Sequence, residues 1–360
     1  MSSQDAAARA RALSLDADAC VRRGDLAAAE TGYREALAIE PTARRWHNLA
    51  TVLQLLGHHP QAEAGFGEAL ALDPANARAR GSLGLSVLAQ GRWAEGFPLY
   101  DAWRELPEAQ GRAAPELVIP RWRGEPLAGK SLVVWGEEGF GDQIMFARFA
   151  KALEREGAEV GWVAHPALTR LLQEGLGQQA AAMRPGLSIL GADFVVPSSQ
   201  LPALMMARTP SPPPAPYLAS PPANRIDGLR LGIKPRGSTA HDNDANRSLD
   251  EAAAAALLAL PGAVSLAPEE TGARDFWDTA GIIAGLDLVI SVDTAVAHLA
   301  GALGRRCWVL LPAVGCDWRW GSEGETTPWY PSLRLFRQRT PGNWEPVIDE
   351  VRSALQARAG

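Results

Sequence analysis

Two patterns of apolar and polar positions divide the chain. Up to about residue 110 the pattern repeats: Gly24, Tyr33, Ala36, Leu37 and Pro41 recur as Gly57, Phe66, Ala69, Leu70 and Pro74, each 33 residues on. A looser third copy follows with Gly91, Tyr100 and Pro107. A fixed period of this length marks stacked supersecondary units. The residue types predict paired helices. The glycine lets the first helix end tightly. The aromatic and the alanine pack one helix on its neighbour. The proline follows the second helix because it cannot continue one. Two clear copies and one degenerate copy are expected, with an extra helix ahead of them.

Beyond residue 130 short apolar runs alternate with amphipathic stretches. Ser131–Trp135, Val160–Val163 and Phe194–Val196 read as strands, with helices after Asp142 and from Ala167. Phe146, Phe149, Ala150 and Leu153 share a face of the first of these helices. Ser211–Pro222 holds six prolines, which stiffen the chain and cannot donate to a ladder, so it reads as an interdomain linker. Leu229–Ile233, Ala263–Leu266, Leu288–Val292, Cys307–Leu311 and Leu333–Phe336 read as a second set of strands. Helices are expected from Ser248 with Glu251 as a capping box, over Asp275–Gly285, and over Glu345–Ala357, which is free to cross back to the first set. Strand and helix in alternation imply parallel sheets covered on both faces. The expected fold class is therefore all-α repeats followed by twin α/β units of Rossmann type. The boundaries read as 1–110 for the repeats, 111–129 for a linker, 130–222 for the first α/β unit and 223–360 for the second. Arg121-Trp122-Arg123 lies in that linker and is placed to dock on the unit after it.

Asp287 to Gly304 is the most informative stretch. Leu288–Val292 has the uniform apolarity of a strand buried on both faces. Asp293 and Thr294 follow, then a helical pattern in which Val296, Leu299, Ala300 and Leu303 face a sheet. Thr294, Ala295 and His298 fall on another side. A strand feeding a helix this way presents backbone N–H groups at the sheet's carboxyl edge, where a phosphate binds.

Composition narrows the partners. The net charge is −6, from 35 basic and 41 acidic residues, which argues against a nucleic-acid partner. Cys20, Cys307 and Cys316 lie far apart and form neither a disulfide framework nor a zinc spacing, so a reducing, cytoplasmic setting is expected. The first fifteen residues have no apolar signal-peptide core, and no apolar run approaches the ~20 residues that span a bilayer.

The candidate chemistry gathers at strand ends. Gly136-Glu-Glu-Gly-Phe-Gly-Asp142 is a glycine-rich turn that lets a ligand approach the backbone. Glu137, Glu138 and Asp142 stand there as acids, beside Gly139 and Gly141. Asp142 reads equally well as the cap of the next helix and as a general base. The polar loop Lys234 to Arg247 is expected at the same sheet edge as Asp293. That puts Lys234, Arg236 and Arg247 within reach of a diphosphate seated on Thr294 and Ala295. His298 can donate to the same group; a lone helical histidine is more often a core residue, but its place on the pocket side of the turn favours the donor reading. Trp318, Trp320, Trp329 and Tyr330 can stack a base or sugar, but packing of their loop onto its domain is the commoner use. Cys316 has no local His or Asp partner that would make it a nucleophile. In the repeats Arg44, Arg45, Trp46, His47, Asn48, Arg78 and Arg80 open successive helices and can line a concave face or form a solvated one.

The repeats resemble the tetratricopeptide repeat. Ser291-Val-Asp-Thr-Ala-Val-Ala-His-Leu-Ala-Gly-Ala-Leu-Gly304 resembles the donor-binding motif of heptosyltransferase-like glycosyltransferases of the GT-B group, and Gly139-Phe-Gly-Asp142 is similar to that group's N-terminal motif. Asp317-Trp-Arg-Trp320, Pro328-Trp-Tyr-Pro331 and Arg334-Leu-Phe-Arg-Gln338 are similar to bacterial proteins that fuse such repeats to such a domain, some of them implicated in flagellin glycosylation. The resemblance implies that Asp142 is the base, that Asp293, Thr294, Ala295 and His298 hold the donor, and that Glu137, Glu138, Gly139 and Gly141 lie on the acceptor side. Relatives carry Trp-Ala-Gly where this chain has Lys234-Pro-Arg-Gly237, which adds charge at the donor site. The first α/β unit is short for a GT-B half.

The expected function is an inverting, metal-independent transfer of a sugar from a nucleotide-sugar to a protein acceptor, such as flagellin, held by the repeats. No cofactor is expected beyond the nucleotide-sugar co-substrate. The alternatives are a repeat scaffold on an inactive domain, and a transferase acting on a lipopolysaccharide or other small glycan.

Overall fold

A computed structural model describes residues 2–107, 119–184, 187, 191–209, 211–223 and 230–359. The expected start of the linker at Gly111, with Arg112 and Pro115, lies outside these, as do Leu229 and the prolines at 115 and 210.

The repeat period becomes three helical hairpins: α1 (Ser3–Arg22) with α2 (Leu26–Ile39), α3 (Ala43–Leu55) with α4 (His59–Leu72), and α5 (Ala77–Ala89) with α6 (Trp93–Tyr100). Gly24, Gly57 and Gly91 turn each hairpin at φ +78°, +78° and +77°. A side chain there would meet nothing at Gly24 and Gly57, so the left-handed backbone and not crowding requires glycine. Asp25, Thr42 and Asn76 cap α2, α3 and α5 through their side-chain oxygens. Tyr33, Phe66, Ala36 and Ala69 are buried as the period predicts. A second small-residue register runs with it: a Cβ on Gly32 would lie 3.1 Å from Ala17 Cβ, and one on Gly65 3.0 Å from Ala50 Cβ. The expected extra helix is not found among the described residues. α1 is itself the first member of the first hairpin, the helix that ends just before Gly24. The third copy is short, with Pro98 inside α6 and a 3-10 turn over Asp101–Glu105.

Val314–Ser322 belongs to this unit, although it comes from far along the chain. Gly315 N–H donates to Leu55 O at 2.9 Å, and Trp318 meets Phe97 edge-on with centroids 5.3 Å apart. The expectation that these tryptophans pack their loop on its own α/β domain is thus corrected for Trp318. Its aromatic surface completes the short third repeat.

The second unit holds two parallel sheets. The first has the order β3-β2-β1-β4, from β1 (Ser131–Trp135), β2 (Glu159–Ala164), β3 (Gln179–Ala182) and β4 (Phe194–Pro197). Its helices are α7 (Phe140–Arg155), α8 (Pro166–Arg170), continued by a π turn over Leu171–Gly175, and α9 (Leu201–Met206). β3 has no apolar run and lies at the sheet edge, where Gln-Ala-Ala-Ala needs no burial on both faces. Trp122 docks as its position suggests, with its N–H on Val195 O at 2.9 Å and its ring buried.

The second sheet runs β6-β5-β7-β8-β9. Its strands are β5 (Leu231–Lys234), β6 (Ala263–Ser265), β7 (Leu288–Val292), β8 (Cys307–Leu311) and β9 (Leu333–Arg337). α10 (Asp244–Arg247), α11 (Glu251–Leu258), α12 (Pro268–Thr271), α13 (Phe276–Ala284), α14 (Ala295–Ala302) and α15 (Glu345–Ala359) complete it. α15 does not cross back. Trp344, Val347, Ile348 and Val351 are buried with Leu231, Ile290 and Leu310 in the core of the second sheet. Asp250, not Ser248, caps α11, accepting from Ala253 N–H at 2.8 Å.

The proline-rich segment is hydrogen-bonded on both sides. Tyr217 and Leu218 N–H donate to Ala302 O at 3.0 and 3.1 Å, and Tyr217 O–H donates to Ile144 O at 2.9 Å. It therefore touches helices of both sheets. No helix among the described residues is long and apolar enough to cross a membrane.

Candidate functional site

In the second sheet the chain reverses direction of winding between β5 and β7, so a crevice opens at their carboxyl ends. Lys234 and Ser291 are paired in register there. β7 is buried along its whole length, which fixes the end of the strand and the start of α14. Thr294 is the N-cap: its Oγ accepts from Val296 N–H at 3.3 Å and contacts Ser291 Oγ at 2.9 Å. Ala295 is the first helical residue, and its N–H has no acceptor within the helix. No acidic residue lies in this first turn.

The polar loop reaches this edge, but its cations differ in use. Arg247 is buried. It donates to Asp293 O at 2.9 Å and pairs with Asp244 at 3.2 Å. Gly237 admits it: a Cβ there would come within 2.7 Å of the guanidinium. Ser248 Oγ accepts from Gly237 N–H and donates to Asp244. Arg247 is thus a brace that fixes the Asp293 carbonyl and so aims the N-terminus of α14. Asp293 itself is buried. Lys234 is half-buried and Arg236 exposed, and no hydrogen bond or ion pair among the described residues engages either.

In the first sheet the corresponding crevice lies between β1 and β4. The protein fills it. Glu137 is buried, its N–H donates to Ser198 Oγ at 2.9 Å, and its carboxylate accepts from Ser199 Oγ at 3.0 Å. Glu138 is exposed and holds φ +64°, a left-handed backbone that costs a non-glycine residue of order 1 kcal/mol or more. Such strain gathers at working sites. Asp142 is not the N-cap. Gly139 is, because Phe140 and Gly141 are already helical; Asp142 stands at the third position and accepts from Gly139 N–H at 3.1 Å.

The two turns meet. A Cβ on Gly141 would lie 2.7 Å from His298 Cδ2 and 3.3 Å from its Nε2, so the imidazole of α14 packs on the first turn of α7. His298 is buried, and its Nδ1 lies 3.0 Å from Tyr330 O–H. The structure therefore brings Asp142's turn, Thr294, Ala295 and His298 to one place, with Lys234 on the neighbouring strand. Sequence reasoning misses Ser198, Ser199 and Asp244, and it assigns Tyr330 to packing. None of the four carries a local spacing signal. Ion pairs from Arg170 to Asp275 and Asp278, at 3.1 and 2.9 Å, tie α8 to α13. Among the described residues no three His, Cys, Asp or Glu side chains are grouped as a metal site.

On the repeats, a cleft between α1 and α3 is lined by Arg11, Ser14, Asp18, Thr42, Arg44 and Asn48. Arg45 is spent on Glu40 and Ser14, and Arg80 on Glu105. Burial, together with the Asp18 carboxylate that its O–H engages, pushes the Tyr33 phenol well above its usual range. Burial, and then nearby Arg78, lower His47, whose ring rests against Phe66.

No protein-family model matches the chain. Protein FlbA of Caulobacter vibrioides is 28% identical over 326 residues, covering 75% of this chain and 53% of that protein, so the chain spans about half the length of this relative. Among solved structures, the heptosyltransferase WaaC of E. coli, solved with ADP-2-deoxy-2-fluoro heptose, is 13% identical. The match covers 63% of this chain and 99% of that one, with a TM-score of 0.41. The Thermobaculum terrenum O-GlcNAc transferase is 17% identical over 87% of this chain and 84% of its own, with a TM-score of 0.29. By its own hairpins and sheets, the chain is a helical-hairpin repeat array followed by two parallel α/β sheets.

Proposed function

We propose that the protein is a glycosyltransferase that moves a sugar from a nucleotide-sugar to a protein acceptor on the repeats, with inversion and without a metal. One observation carries this reading: the phosphate-competent start of α14, with His298, stands directly against the turn that holds Asp142. The donor diphosphate sits on Ala295 N–H and Thr294, with Lys234 and Arg236 above it. Asp142 takes the proton from the acceptor hydroxyl. That oxygen attacks the anomeric carbon as the bond to the phosphate oxygen breaks. The nucleotide leaves with the electron pair, and its charge falls on the helix N-terminus, His298 and Lys234. The arginine-bearing cleft of the repeats suits an acceptor segment with acidic or carboxamide groups, flagellin being one candidate. The expected setting is the cytoplasm.

The test is a thermal-shift screen against UDP-, GDP-, ADP- and CMP-sugars, followed by intact-mass analysis of candidate protein acceptors. Asp142→Asn keeps an oxygen for Gly139 N–H and removes only the base. It is expected to lower kcat by about 10²–10⁴-fold with donor binding retained. Turnover unchanged in this variant overturns the assignment.

A further inference from the structure

Arg148 lies on α7, two turns beyond the Asp142 turn, and is only 1% exposed. Among the described residues no carboxylate pairs with it. Its Nε donates to Met145 O at 3.0 Å, and one terminal nitrogen donates to Trp329 O at 3.0 Å and Pro213 O at 3.2 Å. The other has no hydrogen-bond partner. Three aromatic faces surround the guanidinium instead: Tyr330 at 4.7 Å, Tyr217 at 4.8 Å and Trp329 at 5.3 Å from ring centroid to Cζ. A buried cation costs several kcal/mol unless something compensates it, and aromatic faces with carbonyls do so only in part. A cation kept here at that cost calls for a use.

Tyr330 supplies the link. It packs on α14, where a Cβ on Gly301 would come within 2.4 Å of its ring. Its O–H meets His298 Nδ1 at 3.0 Å. The opposite edge of the imidazole, with Nε2, faces Gly141. A cation over the ring draws electron density from the phenol and makes its O–H the stronger donor. We infer that Arg148 is a positioning residue: through Tyr330 it holds His298 in the neutral tautomer that carries its proton on Nε2, on the edge facing the Asp142 turn. A donor hydrogen bond into Nδ1 leaves Nε2 as the N–H, and a hydrogen bond on one ring nitrogen decides the role of the other. This gives His298 a fixed donor for the departing phosphate without a net charge. That use rests on the transferase reading; the tautomer does not.

The experiment uses the full chain with ring-¹⁵N histidine, without ligand, above neutral pH. Long-range ¹H–¹⁵N spectra report each tautomer, and His298→Gln assigns the signal. The wild type is expected to show His298 protonated on Nε2. Tyr330→Phe is expected to shift it toward the Nδ1 form or a mixture. Arg148→Met is expected to move it the same way, and Arg148→Lys to keep the wild-type signal. A wild-type ring protonated on Nδ1, or a Tyr330→Phe spectrum like the wild type, overturns the proposal. A folded Arg148→Met with the wild-type tautomer also overturns it; should that variant not fold, Arg148→Gln, which removes the charge and keeps donors for the carbonyls, is expected to shift the signal, and an unchanged signal overturns the proposal. In a transfer assay Tyr330→Phe is expected to lower kcat roughly 10–100-fold, while the midpoint for the nucleotide alone stays within about threefold of wild type. An unchanged kcat counts against it. If no nucleotide-sugar binds at all, the transferase reading fails while the spectra still judge the tautomer.

Discussion

The two strand–turn–helix units, β1 into α7 and β7 into α14, share a backbone plan and differ in where they keep negative charge. α7 begins at a glycine cap and carries Asp142 in its first turn, bent back onto Gly139 N–H. α14 begins at a threonine cap and has no acid in its first turn, while the carbonyl before the cap is held by Arg247. A helix N-terminus carries roughly half a positive charge. In α7 that charge is already answered by the protein's own carboxylate. In α14 no first-turn acid answers it, and Lys234 stands on the neighbouring strand. The crevices differ in the same sense: Glu137 and two serines fill the first, and the second faces uncommitted cations. The proposed reading gives the anion to one unit and the base to the other, a division that a shared fold does not decide.

The most direct way to break this contrast is to give α14 the charge that α7 has. Aspartate is as good an N-cap as threonine, so Thr294→Asp is expected to leave the melting temperature within a few degrees of wild type. On the proposed reading it sets a carboxylate against the donor phosphate. Like charges brought together cost several kcal/mol, so nucleotide affinity is expected to fall roughly 30- to 1000-fold. Titration calorimetry with whichever nucleotide the thermal-shift screen selects measures it. Affinity within about threefold of wild type would place the anion elsewhere.

The contrast is partly legible in the sequence itself. The Asp287 to Gly304 stretch announces itself because strand burial, capping and helical period are local along the chain. The repeat glycines do so for the same reason. What stays hidden depends on contacts between distant positions. Arg247 meets Asp293 from 46 residues away, and Arg148 meets Trp329 from 181 away. Nothing in their spacing separates a brace from a ligand-binding cation. Asp142 reads as a cap although the cap lies three positions earlier, since a glycine cap carries no side-chain signal and an acid at the third position looks like one. Trp318 seats with the repeats because the third hairpin is short, a deficit the linear pattern shows only as a degenerate copy.

Gly141→Ala sharpens the contrast by testing whether the two turns must touch. A Cβ 2.7 Å from the His298 ring forces a shift of an imidazole that is itself held by Tyr330. Alanine favours a helix over glycine by up to about 1 kcal/mol. Overpacking a buried contact typically costs about 1–3 kcal/mol, so the net effect is expected to be destabilising. Denaturant melts read the stability and the transfer assay reads kcat. If Gly141→Ala is more stable than wild type and fully active, the contact between α7 and α14 does not set the site.

The smallest effect separates packing from charge at that seam. Asp278 on α13 pairs with Arg274 on its own helix approach and with Arg170 on α8. Arg274 first, and then Arg170, pull its carboxyl from the usual 3.8 down to about 2, against the opposing effect of burial. A depressed carboxyl adds stability that is complete above its unfolded value and disappears as the pH falls through its folded one. The gap between wild type and Asp278→Asn is therefore expected to be constant from neutral pH down to about 5 and to close between about 4 and 2. Exposed pairs of this kind are worth at most about 1 kcal/mol, so the gap should be small. A small gap, with nucleotide affinity unchanged, assigns the apposition of the two turns to Gly141, His298 and the Arg148 cage. A gap beyond about 2 kcal/mol, outside the usual range for such pairs, or a weakened nucleotide complex, would assign it to the Arg170 ion pairs instead.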